Sequence, residues 1–242
     1  MKIFNTARRR LLDDGRFKRY LVYAAGEISL VVIGIFIALQ LNAWKADVKD
    51  RRLEQTYLLN LRDDLQLQLE IIDAQMKHDT ILSARTDSAF TFFTKGLPLA
   101  EFDDMLYGNG QLGYRKTFVA SDATFKELLA TGGMTLITDR KLRTGIMRYY
   151  QLLDYTKLAV NTNNGLIDQL FNLNASNSAT SFSMDHRGTL DTTATLTGHE
   201  LYRLHNSITA RRYLSQIALG ICEKQRNATL GLTEQVGAVV AR

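Results

Sequence analysis

The sequence predicts an all-α protein: one N-terminal transmembrane helix followed by an extracytoplasmic helical bundle with long helices. Three observations carry this. Leu21 to Leu41 is almost purely apolar. Stretches near 45–94, 138–173 and 200–239 repeat apolar residues at helical spacing. The one proline, Pro98, lies between such stretches and interrupts none of them. With 45% apolar and 23% charged residues the chain is globular in composition, which excludes a disordered or collagen-like protein. Cys222 has no second cysteine to pair with, so a disulfide scaffold is excluded, and four histidines leave little for a Cys/His zinc site.

Residues 1–19 form a basic arm. Lys2, Arg8, Arg9, Arg10, Arg16, Lys18 and Arg19 oppose only Asp13 and Asp14, so this arm supplies the whole formal charge of +5 and the rest of the chain is neutral. Such localisation argues against nucleic acid as a partner and for a membrane-proximal tail, with Ile3, Phe4, Ala7, Leu11 and Leu12 spaced as an interfacial helix or left in a solvated arm.

Residues 20–44 are the transmembrane segment. LVYAAGEISLVVIGIFIALQL, as a helix, covers roughly 30 Å, the thickness of a bilayer's hydrocarbon core. Tyr20 and Tyr23 stand at one end and Trp44 at the other, where amphipathic rings favour the headgroup zone. The long arm, Glu27 and the absence of a small-x-small site before Trp44 argue against a cleaved signal peptide and for an uncleaved signal anchor. Seven basic residues precede the span. Lys45, Lys49, Arg51 and Arg52 follow it, interleaved with Asp47 and Asp50, so the N-terminal side is expected in the cytoplasm and residues 45–242 outside.

Within the span Glu27 is an ionisable group about one turn inside Tyr23, where a bare carboxylate costs a few kcal/mol at least. At 100° per residue Glu27, Leu30, Val31, Gly34, Ala38 and Leu41 share one stripe, and Gly34-x-x-x-Ala38 permits close approach of two backbones. The stripe is therefore the predicted helix–helix contact. An ion or proton relay through Glu27, a role in oligomer register, and a carboxylate that reaches interfacial water are the competing roles.

Beyond the span, residues 45–94 lack proline and glycine, and Leu53, Leu58, Leu61, Leu65, Leu69, Ile72 and Met76 mark the expected inner face of a long helix. Leu59, Leu67, Ile71 and Ile81 widen that stripe beyond a strict a/d seam, which favours a bundle over a two-stranded coiled coil. Gly96-Leu97-Pro98 ends the helix, and Gly108, Gly110 and Gly113 break up the next stretch around Phe102, Met105 and Leu106. Ser121 or Asp122 is the expected cap of a short helix through Leu129, with Gly132-Gly133 at its exit. Thr138-Asp139 opens a second long helix with Leu142, Ile146, Tyr149, Tyr150, Leu153 and Leu158 inward, running to about Leu173. A polar stretch at 172–198 is the expected surface loop. A third long helix covers 200–239, with Leu201, Leu204, Ile208, Tyr213 or Leu214, Ile217, Ile221, Leu230 and Leu232 inward.

Two stretches resemble a known family. Tyr23, Gly26-Glu27-Ile28, Leu30-Val31-Val32-Ile33-Gly34-Ile35, Ile37-Ala38-Leu39-Gln40, Asn42 and Trp44 resemble the N-terminal signature of bacterial single-pass envelope proteins catalogued as a domain of unknown function. Thr124-Phe125, Leu128, Thr131-Gly132-Gly133, Leu136-Ile137, Lys141-Leu142-Arg143 and Tyr149-Tyr150 resemble that family's central block, departing at Gly132-Gly133-Met134, where Gly-Asn-Leu is expected. The resemblance implies a fold and a location, with no catalytic residues to carry over.

No sequence motif specifies chemistry. Gly108-Asn109-Gly110 is not followed by a Lys-Ser or Lys-Thr helix, His199-Glu200 lacks a histidine at the HExxH spacing, and Cys222 lies on an apolar helix face. Asp63-Asp64 and Asp103-Asp104 are expected to be solvated. Arg115, Arg143, Arg148, Tyr149 and Tyr150 are candidates for an anion pocket, against the plainer expectation that they flank the core. No catalytic, cofactor or metal site is therefore expected. The expected role is a membrane-anchored, non-enzymatic interaction or scaffold protein of the bacterial envelope, with the lipid bilayer and a homo-oligomer or membrane complex as partners. A sensor or ion-coupled transducer using Glu27, and an envelope enzyme, are the alternatives.

Overall fold

The computed structural model describes residues 15–95, 112–178 and 198–241. Among them every regular element is helical: α1 spans Gly15–Lys95, α2 Ala123–Ala130, α3 Arg140–Ser178 and α4 Gly198–Val240, with one 3-10 turn at Gly133–Thr135. The chain divides into two compact units, Met1–Glu54 and Gln55–Arg242. The basic arm through Asp14, the expected breaks around Pro98 and Gly110, the Asp103-Asp104 pair and residues 179–197 of the expected 172–198 loop lie outside the described residues.

In the first unit α1 carries the apolar segment. Its large side chains from Tyr20 to Trp44 are open on all sides of the helix. Among the described residues α1 alone is long and apolar enough to cross a membrane, and none of its most apolar stretch is buried.

The second unit is a bundle of α1, α3 and α4. Asp73 pairs with Arg226 and Asp87 with Arg212, which sets α1 antiparallel to α4. Tyr149 meets Thr229 and Thr156 meets Gln225, which sets α3 antiparallel to α4. On α1 the buried positions run Leu58, Leu61, Leu65, Gln68, Ile72, Gln75, Asp79, Leu82, Thr86, Ala89, alternating steps of three and four without a break. On α4 the same alternation gives Arg211, Ser215, Ala218, Cys222, Gln225, Thr229, Leu232 and Val236. This is a strict heptad seam, the pattern that keeps one face of a supercoiling helix on its neighbours.

The expected bundle is present, but several inner positions differ. Leu158, expected inward, is 68% exposed; of the alternatives Tyr213 or Leu214 the tyrosine is 64% exposed and Leu214 is half-buried, and Leu53 and Leu230 are open as well. The seam positions near them are filled by Thr156, Arg211, Ser215 and Thr229, so the apolar residues alone trace the wrong stripe. The helix begun at Arg140 also runs past the expected end, to Ser178.

Local chemistry fixes the joints. Asp139 Oδ1 accepts from the Lys141 and Leu142 amides and caps α3. Asp122 is the N-cap residue of α2 but makes no side-chain cap bond. The cap comes from α1, where Asp64 Oδ2 accepts the Thr124 amide at 2.9 Å. Asp64 is thus half-buried and structural, whereas Asp63 is exposed as expected. After α2, Gly132 sits at φ 71°, the left-handed region, and a side chain on Gly133 would press Leu128 at 3.0 Å. The first glycine is needed for conformation and the second for space.

Candidate functional site

The core is not uniform along its length. Near Leu58, Leu61, Leu65, Ile146, Leu232 and Val236 it is apolar; toward Ala89 and Ile208 its seam holds Gln75, Asp79, Thr86, Thr156, Ser207, Arg211, Ser215 and Gln225. Packed over this polar end is an irregular strap, residues 112–122, that connects into α2.

A segment without its own backbone ladder needs partners for its amides and carbonyls, and here helix side chains supply them. Asn161 acts as a two-sided clasp: its Oδ1 accepts the Phe118 amide and its Nδ2 donates to the Phe118 carbonyl, both at 3.0 Å. Asn164 Nδ2 donates to the Lys116 carbonyl, and Gln68 Oε1 accepts the Ser121 amide at 2.7 Å. Arg115 of the strap pairs with Asp168. The strap's own Leu112 and Phe118 are buried.

Among the described residues Arg211 is the largest fully buried side chain, 1% exposed, and its Nη2 donates to the Tyr114 carbonyl at 2.8 Å. Burial lowers its pKa to about 10, with the Asp79 charge opposing, so it remains a cation at neutral pH. Burial raises Asp79, and the hydrogen bond from Gln75 Nε2 at 2.8 Å and the charge of Arg211 act against that rise. His78, edge-on to the Tyr114 ring at 5.3 Å, is lowered to about 4. Burial is the main cause, Arg211, Lys116 and Arg85 add to it, and the Tyr114 backbone opposes. The site at neutral pH therefore holds a buried guanidinium and a neutral imidazole, with the Asp79 carboxyl, raised by burial, within reach of the Arg211 charge. Gln75 Oε1, His78 Nε2, Arg211 Nε, Ser215 Oγ and Gln225 Nε2 are buried here without a protein hydrogen-bond partner.

Cys222 faces the same core. Burial first and the Asp79 charge second push its thiol up to about 12, which holds it as an unreactive thiol. Among the described residues no group of three or more His, Cys, Asp and Glu is placed to hold a metal ion.

The candidates from the sequence fall in separate places. Glu27, Leu30, Val31, Gly34, Ala38 and Leu41 lie on one stripe of α1 and are all exposed, with nothing within 4 Å of a side chain built at Gly34. Arg115, Arg143, Arg148, Tyr149 and Tyr150 do not form an anion pocket. Arg115 is on the strap with Asp168, Arg148 is exposed, Tyr149 bonds Thr229, and Tyr150 stacks on Phe125 at 4.0 Å. Gln75, Asp79 and Arg211 are hidden in the sequence because all three sit at seam positions, where helical periodicity points to apolar residues. The signal was available: continuing the three-and-four alternation from Leu58, Leu61 and Leu65 lands on Gln68, Gln75 and Asp79.

A family model described as a family of unknown function (DUF6090) matches residues 27–184. No curated protein and no solved structure matches the chain.

Proposed function

From a chain that belongs to the DUF6090 family, a family of unknown function, we propose a membrane-anchored, non-enzymatic interaction protein of the bacterial cell envelope. In this reading it crosses the cytoplasmic membrane once, its basic arm is cytoplasmic, its bundle is periplasmic, and it self-associates or serves as accessory subunit of a membrane complex. One observation carries it. The segment from Tyr20 to Trp44 leaves its large apolar side chains more than half exposed, while the bundle closes a core of its own around Leu61, Leu65, Ile146 and Leu153. Exposed apolar surface of that extent needs lipid or a partner to cover it.

The basic arm before the span and the mixed charges after it support the orientation. Glu27, exposed amid apolar side chains, supports a helix–helix contact, since lipid does not solvate a carboxylate and a second helix offers a donor. A transducer role for Glu27 is the second reading on that same observation.

The test has two arms. Carbonate-washed membranes should retain the full chain, and a cysteine appended after Arg242 should react with an impermeant thiol reagent from the outside. Copurification in mild detergent with mass analysis identifies companions. Release by carbonate, or a C-terminal cysteine protected until the membrane is opened, would overturn the reading. Glu27→Gln that keeps assembly but abolishes a cellular phenotype selects the transducer.

A further inference from the structure

Cations from three elements converge where the strap crosses the polar end of the bundle, and Tyr114 is their meeting point. Its carbonyl accepts from Arg211 Nη2 of α4 at 2.8 Å, and its ring stands edge-on to His78 of α1 at 5.3 Å. Lys116 lies two residues along the strap. Arg85 lies seven residues beyond His78, two turns along the same face of α1. The charges of Arg211, Lys116 and Arg85 all reach His78 and act against its protonation.

These cations are not answered within the chain. Arg115, Lys126, Arg212 and Arg226 are each paired with a carboxylate, which commits Asp168, Asp122, Asp87 and Asp73. Among the described residues Arg85 and Lys116 make no ion pair. The carboxyl left to the cluster is that of Asp79, the residue after His78, which burial raises and Gln75 hydrogen-bonds. From α3 the strap receives the neutral Asn161 and Asn164. Three positive charges thus share one carboxyl.

A second observation points to a ligand. Arg211 Nε and His78 Nε2 are buried without a protein hydrogen-bond partner, and Arg211 is 1% exposed, so its free N–H cannot turn to bulk water. A guanidinium N–H requires an acceptor. Water would supply the acceptor and leave the charge excess; an anion supplies both. The rim is open, since His78, Arg85 and Lys116 are only half-buried and Tyr114 is 56% exposed, while Arg211 closes the floor. Donors approaching from three elements suit an acceptor with several oxygens, and a guanidinium matches an oxyanion in shape as well as charge.

We propose that Arg211, His78, Lys116 and Arg85 form a binding site for a small oxyanion of the phosphate or sulfate class at the junction of α1, α4 and the strap. Arg211 Nε donates from the floor, and Lys116 and Arg85 close from the rim. His78 is neutral in the free protein because burial and the three charges disfavour its proton. The bound anion offsets those charges, so His78 takes up a proton on binding and its Nε2 becomes a donor. The site lies wholly in the bundle and does not depend on the membrane reading.

The test uses the full chain in mild detergent, in chloride buffer at constant ionic strength, titrated calorimetrically with sulfate, which does not itself titrate near neutral pH. Binding should be saturable. Arg85→Gln with Lys116→Gln should weaken it at least tenfold and leave the thermal melt in chloride no lower, because neither side chain loses a partner. Arg140→Gln with Lys141→Gln, two exposed cations at the start of α3, should change affinity less than twofold. Histidine ring resonances, with His78 assigned by its loss in His78→Phe, should show it titrating at least one pH unit higher in saturating sulfate than in chloride, a tenfold gain in proton affinity. Repeating the titration with inorganic phosphate, glycerol phosphate and micelles doped with phosphatidic acid separates a free ion, a phosphomonoester and a lipid headgroup: the tightest ligand that the Arg85 and Lys116 pair of changes weakens tenfold is the source. No saturable binding, equal weakening by the two pairs of changes, or an unshifted His78 overturns the site.

Discussion

Arg211 Nη2 and the main-chain carbonyl of Tyr114, 97 residues apart in sequence, meet at 2.8 Å and tie the polar end of the core to the strap that covers it. The charge of the same guanidinium also acts on buried Asp79, opposing the rise that burial gives its carboxyl. Removing Arg211 takes the donor from the Tyr114 carbonyl and the opposing charge from buried Asp79.

Arg211→Met is therefore expected to cost about 3–5 kcal/mol, the range for an uncompensated buried charge. Arg211→Met combined with Asp79→Leu should recover most of that loss, because the double change removes both charges. Urea titrations of the chain in mild detergent, followed by helical circular dichroism, measure both. A double variant as unstable as the single one contradicts the pairing.

Acid sensitivity follows from His78. Its folded pKa of about 4 lies below the ordinary 6.5, so the unfolded chain binds the additional proton. That contribution is fully present above about 6.5 and is lost as pH falls toward about 4. Asp79, raised by burial, has the opposite sign: its contribution is present below the ordinary carboxylate value and lost as pH rises through its folded pKa. His78→Phe should flatten the stability profile between about 4 and 6.5 while leaving the carboxylate limb. A profile unchanged by this variant rules out His78 as the cause.

The helices were legible because their apolar residues recur at helical spacing and because Asp139 and the Gly132-Gly133 pair carry their local instructions openly. The long α1, the short α2 and the exit glycines follow from such signals. Leu158 reads as core, and Tyr213 as one of two candidates with Leu214, because a leucine or tyrosine at helical spacing looks the same whether it faces a neighbour helix or open space. Asp64 was misread for a related reason: adjacency to Asp63 suggests a solvated pair, whereas its partner, the Thr124 amide, is 60 residues away. Contacts at that separation are set by how α1 passes the strap, and no local pattern encodes them.

The borrowed cap on α2 separates these two views. Asp64→Ala leaves the Thr124 amide without its acceptor and removes a contact to Ser121, and is expected to cost about 1–2 kcal/mol. Asp122→Ala removes an i,i+4 pair whose Lys126 partner is exposed and should cost less than Asp64→Ala. The same urea titrations decide it, and the reverse order would assign the cap to Asp122.

Cys222 offers a probe of whether the polar end opens on its own. Its thiol is fully buried and held near a pKa of about 12, so a thiol reagent at pH 8 reaches it only through opening. Leu61→Ala, at the apolar end, should destabilise the whole bundle by about 2–5 kcal/mol. Arg211→Met lies in the same range, but acts where Gln75, Ser215 and Gln225 have buried groups without protein partners and thus little packing to hold the helices together. Labelling of Cys222 should therefore accelerate more in Arg211→Met than in Leu61→Ala when the two are compared at equal loss of global stability. Asn161→Ala, which unclasps Phe118 from α3, should shift the rate in the same direction. Equal acceleration by Leu61→Ala and Arg211→Met would mean that the bundle opens as one unit and that its polar end has no separate motion.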